Sequence, residues 1–452
     1  MNLGPLVQIF LGLLGLTVVI TVHELGHLLA ARLFKVEVLT FSIGIGKKLI
    51  VLKGKKTEWA LSLLPLGGYC RLKGEQNFIQ AWEEKSDHIP YEEGSLFSAP
   101  WWQRVIIALA GPAANLIFGA LLLSLVALIR YPVNYVDPII VPVSRYDENR
   151  SDWPADKAGL QTGDRITSID GEEVSRFSQI QEKVILEGGN PLSFTVERNG
   201  EEFTTTITPE LNKENGTGYI GVYPFIEAEV KEVGERSIFS FLSPGERIIT
   251  LNGGTVECTM DFYQLLDESD GQLETITTIK DGETREYDPH ILIIEGDSYP
   301  SFPFKTELTP SYGLLGALKQ GTADMSDMMG RTVKSLGLLF KGIQLNSALS
   351  GPLRISWMTG EVALSGFGLG FRIGLNRIIQ FLSLICAALA FANLLPIPVL
   401  DGGQVILYFI DGIRKKALTP HFIYYYQMVG TVLVITLALF ASANDILFFL
   451  RS

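Results

Sequence analysis

Leu11-Gly12-Leu13-Leu14-Gly15-Leu16-Thr17-Val18-Val19-Ile20-Thr21-Val22-His23-Glu24-Leu25-Gly26-His27 is an apolar run that ends in two histidines and a glutamate. The histidines are four apart, so on a helix they stand one turn from each other on one face, where two imidazoles can meet one zinc ion. Glu24 projects about 100° away, a position from which it can take a proton from a zinc-bound water. At the surface of a soluble helix the same five residues would be ordinary polar positions. Inside hydrocarbon each ionisable group costs about 2.5 to 3.5 kcal/mol on insertion scales, so a functional reading is the default.

Composition agrees with a membrane setting. The chain has 452 residues, 47% of them hydrophobic, too long for one domain and too apolar for an ordinary soluble protein. A formal charge of -12 excludes nucleic acid as a partner class, because a phosphate-binding surface needs a basic face. Cys70, Cys258 and Cys386 are far apart and form no CxxC pair, so they read as free, packed thiols. No Lys or Arg precedes the first apolar run, which therefore reads as a retained membrane helix and not a signal peptide.

Four spans are expected. Residues 2–34 are long enough to cross about 30 Å of hydrocarbon. The loop behind them gathers Lys47, Lys48, Lys53, Lys55, Lys56, Arg71 and Lys73, which marks the cytoplasmic side. Within that loop, residues 41–46 and 59–69 read as strands around a turn at Lys53-Gly54-Lys55-Lys56. A plain cytosolic hairpin and a membrane-associated hairpin beside the histidines are both open, the latter tolerated where protein or water satisfies its backbone. Residues 83–93 read as acidic and irregular, and Trp101-Trp102-Gln103-Arg104 as an interfacial anchor. The second span, residues 105–129, is expected to be interrupted at Gly111-Pro112-Ala113-Ala114-Asn115. Asn115 there is either packing glue between helices or a group lining the site.

From Tyr131 to about Pro310 the chain is polar and strand-like. Residues 160–171 align without a gap to residues 242–253, each copy reading as a turn, a strand and an Asp-Gly or Asn-Gly hairpin turn. With Ala158-Gly159-Leu160 the first copy resembles a PDZ domain, and the second resembles one without that upstream tripeptide. Such domains capture extended peptides at a sheet edge, so peptide docking and steric exclusion of bulky proteins are both open roles. An amphipathic helix follows over residues 311–346, expected on the membrane surface or against the paired domains, with its Met residues as packing. Ser350-Gly351-Pro352 begins a glycine-rich approach to the membrane. The third span, residues 378–395, breaks at Pro396 and Pro398 and delivers Asp401. Arg414, Lys415 and Lys416 place that end on the side of His23 and His27. The fourth span covers residues 421–450, with Asn444 and Asp445 outside. His88, His290 and His421 read as solvated or interfacial.

Two histidines are half of a tetrahedral zinc site, and Asp401 is the best third ligand by topology and charge, leaving one position open for water. With His23-Glu24-x-x-His27 in the first span, Gly111-Pro112-x-x-Asn115 in the second and Leu400-Asp401-Gly402 after the third, the chain resembles the site-2 protease family of intramembrane zinc proteases. The resemblance covers essentially the whole chain. It implies Zn2+ held by His23, His27 and Asp401, Glu24 as the base that activates water, and Asn393 in contact with the substrate backbone, with Asn115 a further candidate for substrate contact. It implies substrates that are single-pass membrane proteins already trimmed outside, namely an anti-sigma factor of the envelope stress response and remnant signal peptides. It also implies the bacterial inner membrane, with the PDZ-like domains periplasmic and the active site toward the cytoplasm.

The expected fold is a polytopic α-helical membrane protein of four transmembrane helices, with a membrane-associated β-hairpin and two β-rich PDZ-like domains inserted between the second and third helices. The expected divisions are 1–130, first half of the membrane core; 131–225 and 226–310, the PDZ-like pair; 311–375, amphipathic helical region; and 376–452, second half of the core. Two other classes compete. An adaptor protein would hold its metal with four closed ligands, and a metal transporter would conduct the ion.

Overall fold

The apolar run at the N-terminus has no proline after Pro5, and it continues through the His23–His27 motif as one helix, α1, Gly4–Leu33. The computed structural model describes residues 4–147, 149–212, 216–234, 237–293, 298–339, 351–368, 370–414 and 418–451. Two units are separable, one of Met1–Tyr131 with Thr309–Ser452 and one of Pro132–Leu308.

In the first unit α1 is followed by β1, Val38–Lys53, and β2, Glu58–Leu72, then by α2, Glu75–Glu83, and α3, Trp101–Leu128. After the insert come α4, Leu314–Leu339, α5, Pro352–Gly368, α6, Phe371–Leu394, α7, Asp401–Arg414, and α8, Pro420–Arg451. Among the described residues four helices are long and apolar enough to cross a membrane: Val7–Leu33, Trp101–Leu128, Phe371–Leu394 and Pro420–Leu450. On α8, Val429, Val432 and Leu439 are exposed, an apolar surface that water would penalise and hydrocarbon would not.

Packing among these helices uses small residues, which let backbones approach where apolar burial alone gives no drive. A Cβ on Gly12 would meet the Ser356 carbonyl oxygen at 1.9 Å, and one on Gly26 would meet that of Ala110 at 2.2 Å. Thus α1 is seated against α5 at one end and α3 at the other. Several expectations are corrected here. α3 is not interrupted but runs through Pro112. The glycine-rich approach that begins at Ser350-Gly351-Pro352 is itself helical, residues 352–368 forming α5. α4 packs on α3 and α6, with Met325 buried beside Leu123 and Ala387, and so is not a helix lying free on the membrane surface. Its methionines are packing, and expected residues 340–346 lie outside the described ones.

The hairpin is longer than a simple two-stranded turn and folds on itself. Residues 40–43 of β1 face residues 68–71 of β2 on one side and 58–61 on the other, while residues 48–53 pair back onto 58–62. Gly44 and Gly46, both at positive φ, make the bend. The assembly lies along α1, where Thr17 donates to the Pro65 carbonyl at 2.6 Å.

The second unit bears out the internal repeat as two copies of one arrangement. The first sheet orders Glu172–Glu173, Arg165–Ile169, Leu192–Arg198 and Glu201–Ile207; the second orders Gly254–Thr255, Arg247–Leu251, Ile276–Lys280 and Glu283–Tyr287. A helix follows the hairpin in each, Phe177–Leu186 and Thr259–Glu268. Matched positions Ile166 with Ile248 and Ile169 with Leu251 are all fully buried. So are the matched acids Asp164 and Glu246, compensated by Arg198 at 2.7 Å and by Arg285 at 3.1 Å, as buried charges require. Asp164 holds the Arg198 pKa above its ordinary value. The copies are joined through Tyr146, whose hydroxyl donates to Asp261 at 3.0 Å, and through Arg145, which pairs with Glu257 at 2.7 Å. Burial pushes the Tyr146 pKa up, so the hydroxyl keeps its proton as a donor. Pro132 and Leu308 pair directly, which brings the two ends of the insert together.

Candidate metal centre

The helical spacing of His23 and His27 and the turn of chain after α6 bring three side chains together. His23 Nε2 and His27 Nε2 are 3.2 Å apart. Asp401 Oδ2 is 3.1 Å from His23 Nε2, and Oδ1 is 3.5 Å from His27 Nε2. One donor atom from each lies within 4.8 Å of the others. Asp401 Oδ2 is buried yet makes no hydrogen bond despite its closeness to His23.

The tautomers explain this. His27 Nδ1 lies 2.8 Å from the Ile107 carbonyl oxygen, which only accepts, so the proton is on Nδ1 and Nε2 carries a lone pair. On the other ring, the Asn115 amide reaches His23 Nδ1 at 3.4 Å through Nδ2, which leaves Asn115 Oδ1 buried without a partner. Amide nitrogen and oxygen are told apart by their network. With the amide turned over, Oδ1 accepts from His23 Nδ1–H, and His23 Nε2 also presents a lone pair. Two imidazole lone pairs and a carboxylate then point at one another with no proton between them, an arrangement that repels unless a cation lies among them. Two nitrogens and one carboxylate oxygen suit zinc, and three protein donors leave a position open for water or substrate.

The surrounding backbone is shaped to this end. A Cβ on Gly111 would meet His27 Nε2 at 2.3 Å and His23 Cε1 at 2.8 Å, so α3 can back the imidazoles only with glycine there. Pro396 and Pro398 end α6 at Leu394. Val399 then takes φ 79°, a left-handed value costly for a β-branched residue. Asp401 starts α7, where the helix dipole favours a carboxylate. Gly402 and Gly403 would place a Cβ 2.3 Å from the Leu394 carbonyl oxygen and 2.2 Å from that of Ile397, so the Asp-Gly-Gly run lets α7 fold tightly against the broken helix. Tyr426 of α8 donates to the Gly403 carbonyl at 2.9 Å.

A cavity of about 330 Å³ opens on the donors, lined also by Glu24, Asn393, Cys70, Leu72 and Arg104. Glu24 faces β2, its Cγ within 3.6 Å of where a Cβ on Gly68 would stand. Asn393 is on the cavity wall, at the end of α6. Asn115 is fully buried against His23, where its amide reaches a candidate metal ligand, and is not among the residues lining the cavity. Arg104 is a correction, because it does not join Trp101 and Trp102 at the interface but turns inward to Asp411 at 2.5 Å and over the Tyr408 ring. The Ile107 carbonyl was invisible to sequence reading, since every residue has one. Arg104 had a findable signal in Asp411, the acid on the helix after Asp401.

Relatives agree with the geometry. The profile of Peptidase family M50 matches residues 11–437. A Treponema pallidum protein named "Putative zinc metalloprotease" is 36% identical over 98% of this chain and 99% of its own length. The "Regulator of sigma E protease" of Haemophilus influenzae is 28% identical over 96% of this chain and 97% of its own. A solved PDZ domain from Listeria monocytogenes covers 21% of this chain and 88% of its own at 21% identity, with a TM-score of 0.16, too low to carry an argument. Because the matched residues run from before His23 to beyond Asp401, and a relative shares more than a third of its residues across nearly the full length, the chain belongs to Peptidase family M50.

Proposed function

We propose that this protein is an intramembrane zinc endopeptidase that hydrolyses a peptide bond within the membrane segment of a single-pass protein already trimmed outside the membrane. The observation that carries the reading is the convergence of His23, His27 and Asp401 between α1 and the end of α6, two helices long and apolar enough to cross a membrane. The family and the names of its relatives support zinc and proteolysis. The open cavity beside a three-donor set favours catalysis over the closed four-ligand site of an adaptor.

His23, His27 and Asp401 would hold the zinc, which when bound supplies Lewis acidity toward a peptide carbonyl and lowers the pKa of water. Glu24 accepts the proton of the attacking water and returns it to the leaving amine. The Ile107 carbonyl and Asn115 hold the imidazoles in the tautomers that leave Nε2 free. A helical substrate hides its carbonyls in hydrogen bonds, so it must first be unwound. Residues 68–72 of β2 supply the means: they pair with β1 on one side only, and Cys70 and Leu72 line the cavity. An unwound substrate adds to that edge as a strand, while Asn393 bonds its backbone.

The substrates we propose are an anti-sigma factor of the envelope stress response and remnant signal peptides, a reading supported by the name of the Haemophilus relative. The basic loop after α1 supports a cytoplasmic-facing site in a bacterial inner membrane and a periplasmic, PDZ-like second unit. The test is Glu24→Gln in the reconstituted full chain, with a trimmed single-span substrate. Cleavage falls at least about a thousandfold, the scale of losing a general base together with its alignment, while bound zinc stays near one per chain. Undiminished cleavage would overturn the proposal.

A further inference from the structure

A second cavity in the membrane unit is larger than the one at the metal centre. It has a volume of about 740 Å³ and lies among the C-terminal end of α1, the turn between β1 and β2, and the residues leading into α3. We infer that it binds the phosphate of an anionic phospholipid headgroup.

Its charge comes first. Arg32, Lys35, Lys55 and Lys56 line it, against Glu37 and Glu93. Lys56 and Lys73 share Glu37, each at 3.7 Å, so that carboxylate is already compensated. Among the described residues no carboxylate pairs with Arg32, Lys35 or Lys55. Arg32 instead donates to Thr57 Oγ1 at 3.3 Å and lies over the Trp59 ring, which fixes its guanidinium at the cavity wall. Cations held near one another without counter-charge are stabilised by an anion.

Two helix ends meet there with unequal effect. α3 begins behind Pro100, which gives no side-chain cap; the Pro100 carbonyl takes the N–H groups of Gln103 and Arg104, and those of Trp101 and Trp102 remain at the helix start. α1 ends in a closed turn at Lys35, φ 61°, where Phe34, Lys35 and Val36 N–H take up the carbonyls of Ala30, Arg32 and Ala31. The carbonyl end that would repel an anion is therefore spent internally.

Position selects the ligand. The apolar stretch of α1 closes at Leu33 and that of α3 opens at Trp101, and the cavity lies between those two ends, at the level where a bilayer places its phosphates. Leu29, Leu33 and Trp102 are exposed beside it, a surface on which acyl chains can lie below a seated headgroup. The inference rests on the membrane-spanning reading of α1 and α3 and not on catalysis.

The experiment reconstitutes the full chain in phosphatidylcholine vesicles doped with either dibrominated phosphatidylglycerol or dibrominated phosphatidylcholine, and reads quenching of tryptophan fluorescence; Trp59 is on the cavity wall. Lys35→Gln/Lys55→Gln/Lys56→Gln removes the cavity charge, and Lys47→Gln/Lys53→Gln removes charge from the same hairpin outside it. The wild type prefers the anionic lipid by about tenfold, as two or more proximal cations would give; the cavity variant falls to near parity, with zinc content unchanged as the sign of an intact fold, and the control keeps the preference. Equal quenching by both lipids in the wild type overturns the inference, and so does equal loss in the control, which would mean diffuse surface charge. A wild type that broadens the phosphorus NMR line of inorganic phosphate but shows no lipid preference makes the ligand a soluble phosphate and overturns the headgroup assignment.

Discussion

Asn115 carries more of the metal centre's design than its distance from the reaction suggests. It is fully buried against His23, where its amide would decide which nitrogen of that ring is protonated. Asn115→Leu removes the acceptor while keeping the same heavy-atom branching, and leaves Nδ1–H unpaired in a dry setting. Zinc affinity is expected to fall by about 10- to 100-fold, as for other partners of metal-bound histidines, measured by competition with a chromogenic chelator. Asn115→Asp keeps the acceptor oxygen and so retains zinc better than the leucine variant. Equal zinc affinity in all three proteins would show that the amide does not orient the ring. At this scale the sequence was legible where chemistry needs a side chain: His23, Glu24, His27 and Asp401 stand out because ionisable groups in apolar runs demand a reason. It was not legible where the partner is backbone, as with the Ile107 carbonyl, or where only the partner's identity decides, as with Asn115, left open between packing glue and a group lining the site.

Elements were read well where periodicity and breakers agree, and poorly where a helix has neither extreme hydropathy nor a cap in its own sequence. The four long helices and the Pro396–Pro398 break belong to the first kind. α5 belongs to the second, because its N-terminal cap comes from elsewhere: Asp445 of α8, expected outside the membrane, is fully buried and accepts the N–H groups of Gly351, Leu353 and Arg354 at 2.8, 3.1 and 3.0 Å. A cap supplied from 91 or more positions away has no local signature. Asp445→Ala should cost about 2 kcal/mol, at the upper end for a lost N-cap because the orphaned donors are buried, and Asp445→Asn less. Thermal unfolding in detergent reads this as a lowered Tm, with Asn between Ala and wild type; an unchanged Tm for Asp445→Ala would mean that α5 is held by its small-residue contact with α1 alone. The hairpin was legible as strands and turn, but its folding back on itself was not. Alternation fixes which face a residue occupies, and it cannot say that residues 40–43 will find partners on both edges.

For the whole chain, the division into two units leaves every candidate site residue in one of them. All donors of the metal centre, Glu24 and Asn393 are in the first unit, and Tyr131 and Thr309, where the chain leaves and re-enters it, are joined by the Thr309 N–H to the Tyr131 carbonyl at 3.1 Å. Replacing residues 132–308 with a short Gly-Ser turn therefore closes a gap that is already closed in space, at little loop entropy. The shortened protein is expected to bind zinc with unchanged stoichiometry and to cleave a trimmed single-span substrate, because nothing in its site has been removed. Loss of zinc would show that the second unit supports the metal centre. With zinc retained, the substrate decides between the two roles left open for the repeated domains. A filter predicts that an untrimmed substrate with a bulky outer domain, resistant in the full chain, becomes cleavable, with kinetics on the trimmed substrate unchanged. A docking module predicts the reverse: the untrimmed substrate stays resistant, and KM for the trimmed one rises while kcat holds, because uniform binding has been lost and the transition state has not.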